Sequence, residues 1–281
     1  MITVFALANG RSGTRFLCHL LRHNLKDAVC RHESYFDWGN PSMFGAPIHD
    51  HTHGKLARIR QLLLCKQRFI ARLMARRRCD TYVETSHAFL KSYYDLAPEF
   101  FPHSKFVHLV RHPLQTARSE TNRELWINSV RFPWRHYRTD DGHRLFRWSL
   151  TGDEPIYQAV GLPQPTLFQH YVIQWIEVEN RAMQFLDQFE KHDDCATISS
   201  PRDLNDPDRV QEMIERLGLE LAGKEVRITG KQNRTPGVKT TVTSREEDEF
   251  REVIGRLPDE YLEIFRRPPY ADCDWVAWLQ P

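Results

Sequence analysis

The chain lacks most of the features that would take it out of the ordinary α/β proteins. Its six cysteines, at 18, 30, 65, 79, 195 and 273, include no C-x-x-C pair, so they read as structural thiols in a reducing cytosol. No apolar run approaches a membrane span, and the densest cluster, Leu62-Leu63-Leu64, is bracketed by Arg60 and Lys66. Neither sign of charge dominates: the net charge is +2 with 27% charged residues, which gives no support to wholesale nucleic-acid binding. Repeats and low-complexity tracts are missing too. A length of 281 residues suits one large α/β domain over 1–281, or a domain with a lid. An apolar strand starts at Ile2, so no signal peptide is expected ahead of it and the cytoplasm is the expected compartment.

What is present begins with that strand. Ile2-Thr3-Val4-Phe5-Ala6-Leu7-Ala8 breaks at Asn9-Gly10-Arg11-Ser12-Gly13-Thr14-Arg15, after which Phe16, Leu17, Leu20 and Leu21 recur at helical spacing. The pattern predicts strand, tight loop and helix. Loop amides and a helix N-terminus then converge on one spot and favour an anion there, and glycine lets a phosphate approach the backbone closely. The nucleoside-triphosphate version of this loop places Lys-[Ser/Thr] after its last glycine. Here Thr14 stands in the lysine position, and the cation has moved ahead of the glycine, to Arg11.

A short strand over 27–31 opens into a loop starting at His32 and Glu33. In an α/β sheet that loop lies on the ligand side, beside the phosphate loop, so both residues are candidates for chemistry or an exposed pair. Residues 40–54 hold Pro41, Gly45, Pro47, Gly54 and the alternate histidines His49, His51 and His53. Without a carboxylate or cysteine pattern they read as a solvated or substrate-lining loop rather than a metal site. Segment 55–78 is rich in Lys and Arg and has no acid, with an apolar stripe of Ile59, Leu62, Leu63, Phe69, Ile70 and Leu73. It predicts an amphipathic helix whose basic face is solvated or touches a membrane surface or anionic acceptor.

A second strand, Thr81-Tyr82-Val83-Glu84, ends in Thr85-Ser86-His87, and a helical segment is expected over 88–101. Lys105-Phe106-Val107-His108-Leu109-Val110 is the strongest strand signal, running into Arg111-His112-Pro113 and on to Ser119. An arginine fork at a sheet edge grips a phosphate. Pro113 suits the first position of the next helix, and Ser119 lies two turns along it.

Arg11-Ser12-Gly13-Thr14 at a strand-to-helix turn, followed by Arg111-His112-Pro113 and Ser119, resembles the sulfotransferases that use 3′-phosphoadenosine 5′-phosphosulfate (PAPS), in particular the bacterial carbohydrate type. The resemblance implies a P-loop, sulfotransferase-like α/β fold: a three-layer sandwich with a central parallel sheet and a helical lid insertion. It implies PAPS as sulfuryl donor, no metal, and Arg11, Ser12, Gly13, Thr14, Arg15, Phe16, Arg111 and Ser119 at the nucleotide. Arg11 takes the place of the family's loop lysine, and Phe16 stacks on adenine or packs in the core. In related carbohydrate enzymes a glutamate in the loop of Glu33 is the proposed base, which makes Glu33 the first choice. His87 is the runner-up, because small-molecule enzymes carry Lys-Thr-His near this point where this chain reads Glu84-Thr85-Ser86-His87, and His32 is the third candidate. Lys231 and Arg234 match a late basic segment that reaches the nucleotide, or else form a solvated loop.

Residues 120–167 leave regular alternation, interleaving Trp126, Trp134 and Trp148 with Arg123, Arg131, Arg135, Arg138, Arg144 and Arg147. In this family such an insertion forms the acceptor wall or lid. Aromatic faces suit sugar rings and guanidiniums suit anions, so a glycan or small-molecule acceptor ranks above single-stranded nucleic acid, with lid packing as the plain alternative. A long helix over 168–191, a strand at 196–200, the turn and cap 201–207, a helix ending at Gly218, and a final helix with an aromatic tail complete the chain. Nothing in the sequence specifies an oligomeric state. The competing expectations are a P-loop small-molecule kinase and a non-catalytic nucleotide- or carbohydrate-binding relative.

Overall fold

The apolar run after Met1 becomes a central strand because every residue from Thr3 to Ala8 is buried, as a parallel sheet covered on both faces requires. In this computed structural model, residues 1–33, 39–132, 134–228 and 241–279 are described. The strands are β1 (Ile2–Ala8), β2 (Ala28–Arg31), β3 (Thr81–Glu84), β4 (Lys105–Arg111), β5 (His136–Arg138), β6 (Arg144–Phe146) and β7 (Cys195–Ser200). The helices are α1 (Thr14–Asn24), α2 (Ala46–Thr52), α3 (Leu56–Arg77), α4 (Phe89–Ser92), α5 (Ala97–Phe100), α6 (Pro113–Ser129), α7 (Pro155–Val160), α8 (Leu167–Gln188), α9 (Pro207–Arg216) and α10 (Ser244–Arg256).

The main sheet has five parallel strands in the order β2-β3-β1-β4-β7. Its two faces bury separate cores, which gives the expected three layers. On one side Val4, Ala6 and Ala8 pack with Leu17, Leu20 and Leu21 of α1 and Val210 and Ile214 of α9. On the other, Phe5 and Leu7 meet a thicker layer centred on α8. That helix starts at a Thr166–Gln169 capping box. Its Trp175 stacks on Phe265 of the C-terminal tail at 5.2 Å. The chain leaves β1 for β2 on one side and later places β4 on the other. A switch point of this kind opens a crevice at the carboxyl ends of the strands.

Several local expectations are corrected. Residues 40–54 are not all loop: α2 starts just after Gly45, with Pro47 in its first turn, where a missing N–H costs nothing. The helix expected over 88–101 is two short ones, because the chain turns after Ser92 and restarts at Ala97-Pro98. Helix α6 runs through to Ser129, so the insertion begins later than 120, and it is not helical throughout. Its centre is the antiparallel hairpin β5–β6, closed by a turn with Gly142 at φ 91°, and only the short α7 follows. Among the described residues no helix is long and apolar enough to cross a membrane.

Candidate active site

The loop after β1 is held from below. The Asn9 amide donates to Glu179 Oε1 at 2.8 Å and to the Trp175 carbonyl at 3.3 Å, while Glu179 also accepts from Tyr270 at 2.7 Å and pairs with His108 at 3.0 Å. All four side chains are buried, so the polar network fixes where the loop departs from the sheet. The next residue leaves room for a carboxylate: a Cβ on Gly10 would sit 1.8 Å from Glu120 Oε1 and displace that side chain. Gly13 adopts φ 101° and leads into α1. The first amides of α1 have no intrahelical acceptor, and no acid lies in its first turn, so that end attracts an anion. The Ser12 hydroxyl is buried without a hydrogen-bond partner.

The second motif arrives at the same place. Because β4 lies beside β1, with Leu109 opposite Ala8, the chain past Arg111 leaves the sheet next to the loop. Arg111 Nη1 donates to the Arg11 carbonyl at 2.6 Å, and Arg11 Nε donates to Ser119 Oγ at 3.0 Å. Residues 108 positions apart are thus in direct contact. The Arg111 Nε is buried with no partner. Arg123, one turn beyond Ser119, pairs with Glu120 at 2.6 Å. Burial lowers the pKa of Arg11, and repulsion from Arg123 and Arg111 adds to it against the opposing pull of Glu120 and Glu33. Three guanidiniums crowd one loop, an arrangement relieved by a bound polyanion.

No family model matches the chain, and no curated protein is similar to it. The solved structures that align with it include two sulfotransferases. One is a sulfotransferase domain from the curacin biosynthetic pathway, 12% identical, with a TM-score of 0.46 over 78% of this chain and 74% of that one. The other is a sulfotransferase from Alicyclobacillus acidocaldarius, 14% identical, with a TM-score of 0.46 over 99% of this chain and 98% of that one.

All three base candidates lie together. Glu33 Oε1 is 3.0 Å from His87 Nε2 and 3.9 Å from His32 Nε2. His32 Nδ1 lies 3.1 Å from the Thr85 carbonyl and 3.2 Å from the Thr85 hydroxyl. His87 Nε2 is the nearer of the two imidazole nitrogens to Glu33. Glu33 keeps 13% of its side chain exposed against 1% for His87, so an incoming group reaches the carboxylate and not the imidazole. Among the described residues no group of three or more His, Cys, Asp or Glu side chains could hold a metal ion.

The remaining candidates divide. Thr14 is buried at the head of α1, Arg15 is exposed, and Phe16 is half-buried against the core between the sheet and α1. Lys231 and Arg234 lie outside the described residues. The histidines of α2 bond locally, His51 to Asp95 at 3.0 Å and His49 stacked on His53. Sequence reasoning missed Glu120 and Lys91, and counted Arg123 only as an insertion arginine. The signal for the first was the i,i+3 spacing of Glu120 and Arg123 directly after Ser119. Lys91 lies one turn past His87, fully buried, with its pKa pushed down to about 7 chiefly by burial, and its ammonium donates to the Trp148 carbonyl at 2.7 Å. The insertion therefore borders the site: the Arg123 guanidinium stands 5.9 Å from the Phe146 ring and 5.8 Å from Trp148.

Burial, reinforced by Lys91, pushes the His87 pKa from 6.5 down to about 4. The unfolded chain then binds this proton at a higher pH than the folded one. Stability is expected to fall as pH drops from about 6.5 to about 4. Urea unfolding across that window, compared with His87→Asn, measures the effect. An acid limb of the same slope in the variant refutes the assignment.

Proposed function

We propose that the chain is a sulfotransferase that moves a sulfuryl group from PAPS to an acceptor hydroxyl, on a carbohydrate. One observation carries this reading: Arg11 of the first anion loop bonds Ser119 of the second element at 3.0 Å, while Arg111 holds the Arg11 carbonyl. Two anion-binding elements at adjacent strand ends suit a nucleotide phosphorylated at both 5′ and 3′ positions. The buried, unpartnered Ser12 hydroxyl and Arg111 Nε are hydrogen-bonding capacity of the kind such phosphates use.

Bound there, the donor supplies the sulfuryl group: an acceptor oxygen–sulfur bond forms, the sulfur–phosphate oxygen bond breaks, and the departing 3′-phosphoadenosine 5′-phosphate keeps the electron pair. Arg11 and the first amides of α1 stabilise charge at the 5′ end, where fixed donors are most effective. Arg111 and Ser119 bind the ribose phosphate and set the nucleotide's register. Glu33 takes the acceptor proton. His87, held neutral by burial, stands 3.0 Å from the Glu33 carboxylate and positions it. The aromatic and arginine residues of the insertion, beside Arg123, form the acceptor wall.

The expected result with purified protein is a rise in melting temperature on adding 3′-phosphoadenosine 5′-phosphate without metal, of the size set by about 2.7 kcal/mol at a hundred times Kd. Arg111→Ala should weaken that binding by about 10–100-fold, the worth of hydrogen bonds to a charged group. Stabilisation by ATP with Mg²⁺ alone points to a kinase. Nucleotide binding without transfer of labelled sulfate to any saccharide points to a non-catalytic relative.

A further inference from the structure

The hairpin beside the site carries a pairing that sheets disfavour. Arg138 and Arg144 stand directly opposite each other across β5 and β6, and like charges so placed destabilise an antiparallel pair. Both are exposed, and neither forms an ion pair among the described residues. Alternation puts His136 and Phe146 on the same face, and Arg144 Nη2 lies 3.1 Å from His136 Nδ1. Arg138, Arg144 and His136 line an open cleft of about 220 Å³, together with Phe132, Trp134, Arg135 and Tyr137. Among the described residues no carboxylate lines it. Its aromatic side is left open to solvent, with Trp134 71% and Phe132 40% exposed.

We propose that this cleft binds an anionic sugar ring, bearing a carboxylate or sulfate, of the acceptor saccharide. The inference rests on the transferase reading and names its acceptor class. Facing guanidiniums lose their mutual repulsion when a carboxylate or sulfate bridges them, and the planar fork binds such oxyanions in pairs. Open aromatic faces next to that anion site pack against a ring rather than a bare ion. A cleft of this size takes one such ring rather than a drug-sized ligand. Phe146, opposite His136 on the hairpin, lies 5.9 Å from the Arg123 guanidinium, so the hairpin that carries the cleft also borders the site.

The test titrates the intact protein, followed by tryptophan fluorescence, with four probes. These are a galacturonate tetrasaccharide, a heparin-derived tetrasaccharide, neutral maltotetraose, and vesicles of phosphatidylserine and phosphatidylcholine. At least one acidic saccharide is expected to bind about tenfold or more tighter than maltotetraose, with affinity falling as salt rises. The double variant Arg138→Gln, Arg144→Gln should lose about tenfold or more of that affinity while keeping the melting shift with 3′-phosphoadenosine 5′-phosphate. Trp134→Ala should weaken the same binding without touching the charges. Three results overturn the proposal: equal binding of neutral and acidic saccharides, unchanged affinity in both variants, or arginine-dependent binding of anionic vesicles alone. The last is a live competitor because Leu125 and Trp126 are also exposed nearby. Saccharide binding that persists in a protein with no nucleotide shift overturns the transferase and leaves the cleft standing.

Discussion

Replacing Glu33 by glutamine is expected to lower turnover by about 10²–10⁴-fold, the contribution of a positioned general base, while leaving the affinity for 3′-phosphoadenosine 5′-phosphate nearly unchanged. The amide keeps the shape of the side chain and its place 3.0 Å from His87 Nε2, so the local geometry survives and only the proton acceptor is lost. The nucleotide contacts, from Arg11, Arg111 and Ser119, do not involve Glu33. His87→Asn should fall between the parent and Glu33→Gln, because it removes the imidazole packed against the carboxylate but not the carboxylate itself. Single-turnover transfer of labelled sulfate, with nucleotide affinity measured separately, checks both. A Glu33→Gln enzyme that turns over at the parent rate moves the base elsewhere.

The second large effect is on stability. Lys66 was expected on the solvated face of a basic helix, yet its ammonium is buried and lies 2.7 and 2.6 Å from the two oxygens of Glu84. The Tyr82 hydroxyl donates to the same carboxylate at 2.8 Å. Lys66→Met strands that carboxylate away from water, which costs about 3–5 kcal/mol. For a chain of this size that lowers the melting temperature by on the order of 10 °C. Adding Glu84→Gln should restore most of the loss, since the amide is uncharged and still accepts from Tyr82. Because β3 leads directly through Thr85 and Ser86 to His87, the single variant should also loosen the site. Thermal unfolding of the two variants decides it, and a loss below about 1 kcal/mol in Lys66→Met means that the pair is solvated.

The two effects mark where local pattern stops being informative. Helix α3 was legible from its apolar stripe, because periodicity near 3.6 is a property of neighbouring residues. Its exact register was not: the buried row is Ile59, Leu63, Lys66, Ile70 and Met74, and although the spacing puts Lys66 in line with Leu63 and Ile70, only β3, by supplying Glu84, lets an ammonium be buried there. The same holds for the insertion. Its tryptophans and arginines were plain to read, but a hairpin with Arg138 facing Arg144 depends on a turn at Gly142.

By itself the sequence determined the strand, loop and helix around Gly10 and Gly13, the strand ending in Arg111 with Pro113 opening the next helix, and the long helix that became α8. Each is set by contacts within a few residues. Tertiary structure decided that Arg11 meets Ser119, that Glu120 fills the space a side chain on Gly10 would need, and that His87 lies closer to Glu33 than His32 does. Those partners are brought together by the order β3-β1-β4 across the sheet. Strand order follows from which faces can be buried together, a property of the whole chain and not of any short stretch of it.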